Sequence, residues 1–421
     1  MTLKNFYIFI IGQFVSQFGS RMTSYGFTLW IYKMTNSVFY TSLVTLCYLV
    51  PEILFNFIAG TLSDKWDKKI VLKVSDFFAG VLSFVTLILL IFGKLKFQYI
   101  FIINILLGIA DSFQAPTSEV VISLIVSKED YIKTSGIRSF FKSFLDIFVP
   151  ILSVSIYALW GLKVIIIIDL MTFIFAYLTL IIFVKIPKLQ ISDKKESFIN
   201  DFILGIKYLL SMKDILALIF FMGFINLVYG IYSTALAPMV LLRNGNNDFQ
   251  LGIVTSMIGI AGLVGSMLLK FFPKFKNYSL LLTNIMIFSF GVCNFSLGIG
   301  KNYIIWVVGI FLGNILVPLL LANVDYLTRV RIPIELQGRV FSARNTIQYL
   351  FLPVGIFLSG FLNDFVFYPI IKEMKSLSFL GKNNQELSIA LLYIFIGFLG
   401  IIGSIIFRSN KNFKELDKID M

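Results

Sequence analysis

Arg21, Glu52, Asp111, Lys142, Asp146 and Asp169 stand inside long apolar runs. In hydrocarbon each such charge costs about 2.5–3.5 kcal/mol on insertion scales, so these groups normally face a protein interior or a water-filled space. Carboxylates and an arginine held there could exchange a proton or contact a charged solute. The chain has no histidine. Imidazole is therefore excluded as proton carrier, metal ligand or base, and protons must ride on carboxylates, or on Tyr or Lys. Low-dielectric surroundings favour the uncharged form of a carboxyl, which opens proton exchange near neutral pH. No phosphate-binding glycine loop, dinucleotide turn or zinc spacing occurs, and no nucleophile elbow or kinase signature either. No enzyme, cofactor or metal site is expected, and any uphill movement of a solute must draw on an ion gradient.

At about 1.5 Å per helical residue, Glu52 lies about 15 Å, Asp111 about 12 Å and Asp146 about 14 Å from one shared end of their runs. Carboxylates at one level on three helices can share a cavity, with Arg21 deeper as their counter-charge or as a contact for an anionic group. Simpler readings stand beside this one. Lys142 and Asp146 are four residues apart and can neutralise each other. Glu52 follows Pro51 and can bond backbone loosened by a kink. Asp111 has no local partner, which favours a functional role. Glu119 and Asp169 lie toward run ends and read as interfacial.

The elements that position these groups follow from composition. Of 421 residues, 58% are hydrophobic and 14% charged, against about 25% charged in a soluble domain; mean hydropathy is +0.89. The medium must be largely lipid. Twelve apolar runs reach the roughly 20 residues a spanning helix needs, including 137–160, 163–185 and 341–364. They do not alternate in polarity as barrel strands do. The net charge of +13 sits in short clusters between runs rather than along one face, so nucleic acid is not the partner; the lipid bilayer is. With the N-terminus inside, most Lys and Arg fall on inner loops, which places both termini in the cytoplasm. Cys47 and Cys293 lie within apolar runs and read as buried thiols.

The longest polar break divides the chain into a six-helix bundle at 1–186, a cytoplasmic linker with an amphipathic helix at 187–213, and a second six-helix bundle at 214–421. Phe198, Phe202, Ile203, Ile206, Leu209 and Leu210 give that linker its apolar stripe. The outer loop 365–386 reads as a connector. An ordered series of matches relates the halves: Gly12 with Gly223, Gly19 with Gly230, Gly60 with Gly265, Gly108 with Gly313, Ser139 with Ser342, and Pro150 with Pro353. Such self-similarity indicates duplication, here as parallel repeats about the membrane normal.

The loop after the second run reads Gly60-Thr-Leu-Ser-Asp64-Lys65-Trp-Asp67-Lys68-Lys69. Its spacing resembles the signature between helices 2 and 3 of the major facilitator superfamily, with Asp67 in place of the second glycine. The resemblance covers nearly the whole chain. It implies an all-α membrane fold of twelve transmembrane helices in two pseudo-symmetric six-helix bundles. It also implies a cytoplasmic latch: Asp64 would meet the inner end of helix 11 near Arg339 and Arg344, and Lys68 or Lys69 would pair with Glu119. Pro150 and Pro353 would be hinges of helices 5 and 11. Gly12-Gln13-x-x-Ser16-x-x-Gly19-Ser20, followed by Leu29-Trp30-Ile31-Tyr32, is similar to the macrolide-efflux-type drug:proton antiporters. Drug antiporters often carry a Gly-Pro pair on helix 5, whereas Val149 precedes Pro150 here.

The expectation is a monomeric, multi-pass plasma-membrane transporter that exports a bulky amphipathic compound in exchange for protons. Asp111, Glu52 and Asp146 would carry the proton or contact substrate, with Arg21 as counter-charge. Siderophore or lipid export, uptake, and a non-transporting sensor or scaffold are the alternatives.

Overall fold

A computed structural model describes residues 3–126, 130–187, 206–245, 247–273, 275–373 and 383–418, with side chains described outside 56–65, 131–133, 135–136, 139, 334–335, 337–339 and 342. Most of the linker's expected amphipathic helix lies outside the described residues; only its last turn, 206–211, is seen to be helical.

The first helices are α1 (Leu3–Thr35), α2 (Val38–Lys65), α3 (Lys68–Ile91) and α4 (Phe97–Ile125). Continuous helix then runs over Tyr131–Ile182, broken at Gly161, whose φ of 72° is open to glycine. The break defines α5 (131–160) and α6 (162–182). The chain doubles back there: Leu145 and Val149 meet Ile165, while Ile137 and Phe141 pack with Leu180 and Val184. The second half holds α7 (Lys213–Arg243), α8 (Asp248–Leu268), α9 (Tyr278–Ile299) and α10, made of Tyr303–Asn314 and Val317–Arg331. In α11, Ile334–Tyr349 and Phe351–Phe361 lead through a wider π turn, Leu362–Phe367, into Tyr368–Glu373. Then follow α12 (Asn384–Ser409) and the short α13 (Lys411–Lys414).

Among the described residues, ten helical stretches are long and apolar enough to cross a membrane. One of them, Phe140–Ile182, contains the Gly161 reversal and so crosses twice. The 33-residue α1 is long enough to span, but its Gln, Ser and Arg residues lower its hydropathy. That polarity belongs to the site described below. Large apolar side chains such as Phe92, Trp160, Met171 and Ile182 are exposed; in a membrane this is the surface that meets lipid.

Two compact units result, Met1–Asn36 with Leu43–Lys194, and Ser37–Ser42 with Lys195–Met421. In the first, α1 packs on α5 and α6, and α3 packs on α4. In the second, α7 packs on α11 and α9 on α12. Within this second unit Asp364 Oδ2 accepts from Ser37 Oγ at 2.5 Å and from the Phe39 amide at 3.1 Å.

The matched glycines do not make matching contacts. Gly19 abuts Asp169 and Thr172 of α6, whereas Gly230 abuts Leu352 and Ile356 of α11, and α11 corresponds to α5 in a parallel repeat. The shared spacing therefore reflects a need for close helix approach, met differently in each unit.

The C-terminal segment is tied into the second unit. Phe413 is fully buried against Phe221 and Phe407. Asp417 accepts from the Ser279 amide at 2.8 Å. Arg331 pairs with Asp214 at 2.8 Å, with both side chains mostly buried, and donates to the Leu416 carbonyl at 3.0 Å. Removing one partner strands the other charge away from water. Arg331→Ala should cost about 3–5 kcal/mol, read as a lower melting temperature of the detergent-purified protein. An unchanged melting curve would mean Asp214 is solvated after all.

Candidate functional site

The first unit encloses a cavity of about 520 Å³. Its location follows from the layering of α1. Phe6, Phe9 and Ile10 join an apolar cluster with Leu72, Val121, Ile125 and Leu180 at one end. Phe27 and Ile31 join another with Leu82, Ile100, Ile103 and Leu162 at the other. Between them α1 carries Gln13, Ser16, Gln17, Ser20 and Arg21, all lining the cavity. A polar middle between two apolar seals is the form a water-accessible crevice takes in a membrane helix bundle.

Five carboxylates from four helices line this space: Glu52 of α2, Asp76 of α3, Asp111 and Glu119 of α4, and Asp169 of α6; of these Glu119 is already paired with Arg138. Glu52 and Asp111 are half-buried, while Asp76 and Asp169 are buried. Tyr48 and Glu52 are four residues apart on one face of α2. Gly108, one turn before Asp111, lies against the Tyr48 carbonyl oxygen so closely that a Cβ there would collide with it. This approach of α2 and α4 brings the Tyr48 hydroxyl within 2.5 Å of Asp111 Oδ2, to which it donates. Asp169 accepts from Ser20 Oγ of α1 at 3.1 Å and from Ser83 Oγ of α3 at 2.8 Å, binding three helices through one side chain. Asp76 Oδ1 accepts from Gln114 Nε2, which also reaches Gln13 Oε1 of α1 at 3.5 Å.

The expected trio of acids is thus only partly assembled. Glu52 and Asp111 share the cavity, but Asp146 is not among its lining residues. Asp146 accepts from Arg21 Nη1 at 2.7 Å across α1 and α5, in place of a bond with Lys142 one turn away on its own helix. Arg21 lines both the main cavity and a smaller one of about 350 Å³ that also holds Arg138, Phe141 and Lys142. Asp169 is not interfacial. The reversal at Gly161 uses no loop, so Asp169 lies about 10 Å along α6 rather than at its mouth. Asp76 was not singled out by the sequence reading; the signal was a stripe of Asp76, Gly80 and Ser83 at helical spacing on an otherwise apolar segment.

The loop motif is partly described. Asp67 Oδ1 caps α3, accepting from the Lys69 and Ile70 amides at 2.8 and 3.3 Å. A helix cap explains an acid where the family pattern has glycine. Lys69 does not reach Glu119: its Nζ donates to the Ile181 and Val184 carbonyls at 3.2 and 2.6 Å, at the end of α6. Glu119 instead accepts from Arg138 of α5, and Lys68 is buried. The side chains of Gly60's neighbours Asp64 and Lys65, and of Arg339, lie outside the described residues. Arg344 donates to Thr328 Oγ1 at 3.2 Å and stacks on Phe341. Pro150 lies inside α5, and Pro353 inside the Phe351–Phe361 segment of α11.

The profile of the Major Facilitator Superfamily matches residues 9–356. The chain belongs to this superfamily. As a superfamily member it is a multi-pass membrane transporter rather than an enzyme. It is 26% identical to Macrolide efflux protein A of Streptococcus pyogenes over 364 residues, covering 85% of this chain and 89% of that one. It is also 26% identical to an uncharacterized MFS-type transporter of Bacillus subtilis, covering 91% and 96%. Among solved structures, a bacterial homologue of the lysosomal transporter Spinster, inward-facing and occupied, superposes with a TM-score of 0.73 at 11% identity over 97% of each chain. A bacterial homologue of the iron transporter ferroportin, inward-facing, gives 0.68 at 13%, covering 97% and 100%. These likenesses establish the fold.

Proposed function

We propose that this superfamily member exports a bulky amphipathic, macrolide-like compound across the cell membrane in exchange for protons, by alternating access. The observation that carries the reading is the cavity's charge. Glu52, Asp76, Asp111 and Asp169 line it, and its lining cation Arg21 is already engaged by Asp146. Such a site favours cations, whether a proton or the basic group of a substrate. Apolar lining by Phe27, Leu107 and Phe173 supplies contact for the rest of an amphipathic molecule. Similarity to proteins named for macrolide efflux supports the direction and the substrate class. Asp111 and Glu52 are the central groups, with Arg21 and Asp146 as a charge-balancing pair beside them. The protein would work as a monomer with both termini in the cytoplasm.

Erythromycin accumulation in cells stripped of other pumps tests this. Expression of the gene should lower accumulation several-fold, and a protonophore should restore it. Inverted vesicles should take up erythromycin on acidification of their lumen. Uptake into intact cells, or indifference to the protonophore, would overturn the reading. A panel including a siderophore and a phospholipid analogue distinguishes other cargo.

A further inference from the structure

Asp76 differs from its neighbours in the cavity. Its side chain is 5% exposed. Oδ1 accepts from Gln114, while Oδ2 is buried with no hydrogen-bond partner among the described residues. An ionised carboxylate left with one bare oxygen in a low-dielectric site forfeits most of its solvation. A proton on Oδ2 removes that charge and leaves the Gln114 bond to Oδ1 intact. Oδ2 is also closed to a water-sized sphere, so an ammonium group or a metal ion has no room to reach it in this arrangement. Glu52 and Asp111 also line the cavity and are half-buried rather than buried.

We propose that proton and substrate use separate carboxylates in this crevice: Asp76 takes the proton on Oδ2, and Asp111 with Glu52 receives the substrate's basic group. The assignment rests on the proton-exchange reading above. The charged and titratable groups that share the cavity with Asp76 are Arg21 of α1, Tyr48 and Glu52 of α2, Asp111 and Glu119 of α4, and Asp169 of α6; among the described residues α5 contributes no lining side chain. Asp111 and Gln114 are three residues apart on α4, hence on neighbouring positions of one helix face. The helix that presents the substrate-facing acid therefore also holds the proton-binding one through Gln114. In each cycle the Asp76 carboxylate binds one proton on one side of the membrane and releases it on the other, with no bond made or broken except O–H.

The test uses full-length protein in proteoliposomes and radiolabelled erythromycin. Two assays are run: uptake driven by a pH gradient, and exchange of labelled for unlabelled drug at equal pH. Asp76→Asn should lose gradient-driven uptake at least tenfold while exchange stays within about threefold. Asp111→Asn should lose both. Asp76→Ser is the second variant if the amide does not purify. Gradient-driven uptake persisting in Asp76→Asn would overturn the assignment with the proton-exchange reading intact. Loss of exchange in both Asp76 variants, with monodisperse protein, would overturn the separation of sites. A wild-type protein indifferent to the gradient would instead sink the underlying reading and the assignment with it.

Discussion

Asp111→Asn should abolish gradient-driven erythromycin efflux, by at least tenfold, with normal expression. Asp111 is placed by backbone contact: Gly108 brings α4 against the Tyr48 carbonyl, and Tyr48 then donates to Oδ2 at 2.5 Å. An asparagine keeps the size and an acceptor for that hydroxyl, so the α2–α4 contact should survive. What vanishes is the negative charge that would receive the substrate's basic group. Tenfold in rate corresponds to about 1.4 kcal/mol, within what one charge-assisted hydrogen bond supplies. Tyr48→Phe is the companion variant. It deletes the donor and keeps the charge, so efflux should fall less than in Asp111→Asn. Transport at the wild-type level in Asp111→Asn, in inverted vesicles with matched protein, would remove Asp111 from the mechanism.

How much of this site could be read from the residues depended on where the deciding interaction lay. Helix positions were legible, because a bilayer imposes a minimum apolar length on every crossing. The place of Asp111 on the cavity wall was legible for the same reason: an acid about 12 Å inside such a run must face a protein interior or a water-filled space. Asp146 is bonded by Arg21, the expected counter-charge, from 125 residues away on α1, but it does not line the cavity that Glu52 and Asp111 share, because depth along a run does not say which face of the helix a side chain takes. Lys69 was misjudged. Its partners are backbone carbonyls at the end of α6, and no charge pattern announces a carbonyl. Asp169 was placed too near the surface because its short distance from the start of its run was read as shallow, whereas its carboxylate is buried between α1 and α3, accepting from Ser20 and Ser83. Asp76 lies near the start of α3's apolar run, three residues after Lys73, and nothing in that spacing names its partner. Only the packing of α3 on α4 brings Gln114 to it.

Gly19→Ala should destroy the folded first unit, whereas Gly12→Ala, two turns away on the same helix, should be tolerated. Both glycines face α6. A Cβ at Gly12 would stand 3.4 Å from the Thr179 methyl, an ordinary contact. A Cβ at Gly19 would stand 2.8 Å from Asp169 Cα and would run into Thr172 Oγ1. Thr172 can rotate, but Asp169 Cα is backbone, so α1 must move away from α6. Alanine's better helix propensity returns about 1 kcal/mol at either position. At Gly12 that gain goes unopposed. At Gly19 it faces overpacking of about 1–3 kcal/mol or more. Separation of α1 from α6 would also break the Ser20 bond to Asp169 and leave a buried carboxylate with one donor fewer, a further loss of about 1–3 kcal/mol. Size-exclusion profiles of detergent extracts should show a monodisperse peak for Gly12→Ala with a melting temperature at or above the parent's. Gly19→Ala should aggregate or melt many degrees lower. Equal profiles for the two variants would mean that α1 does not press on α6 at Asp169, and the cavity would then lack the wall that holds its most buried acid.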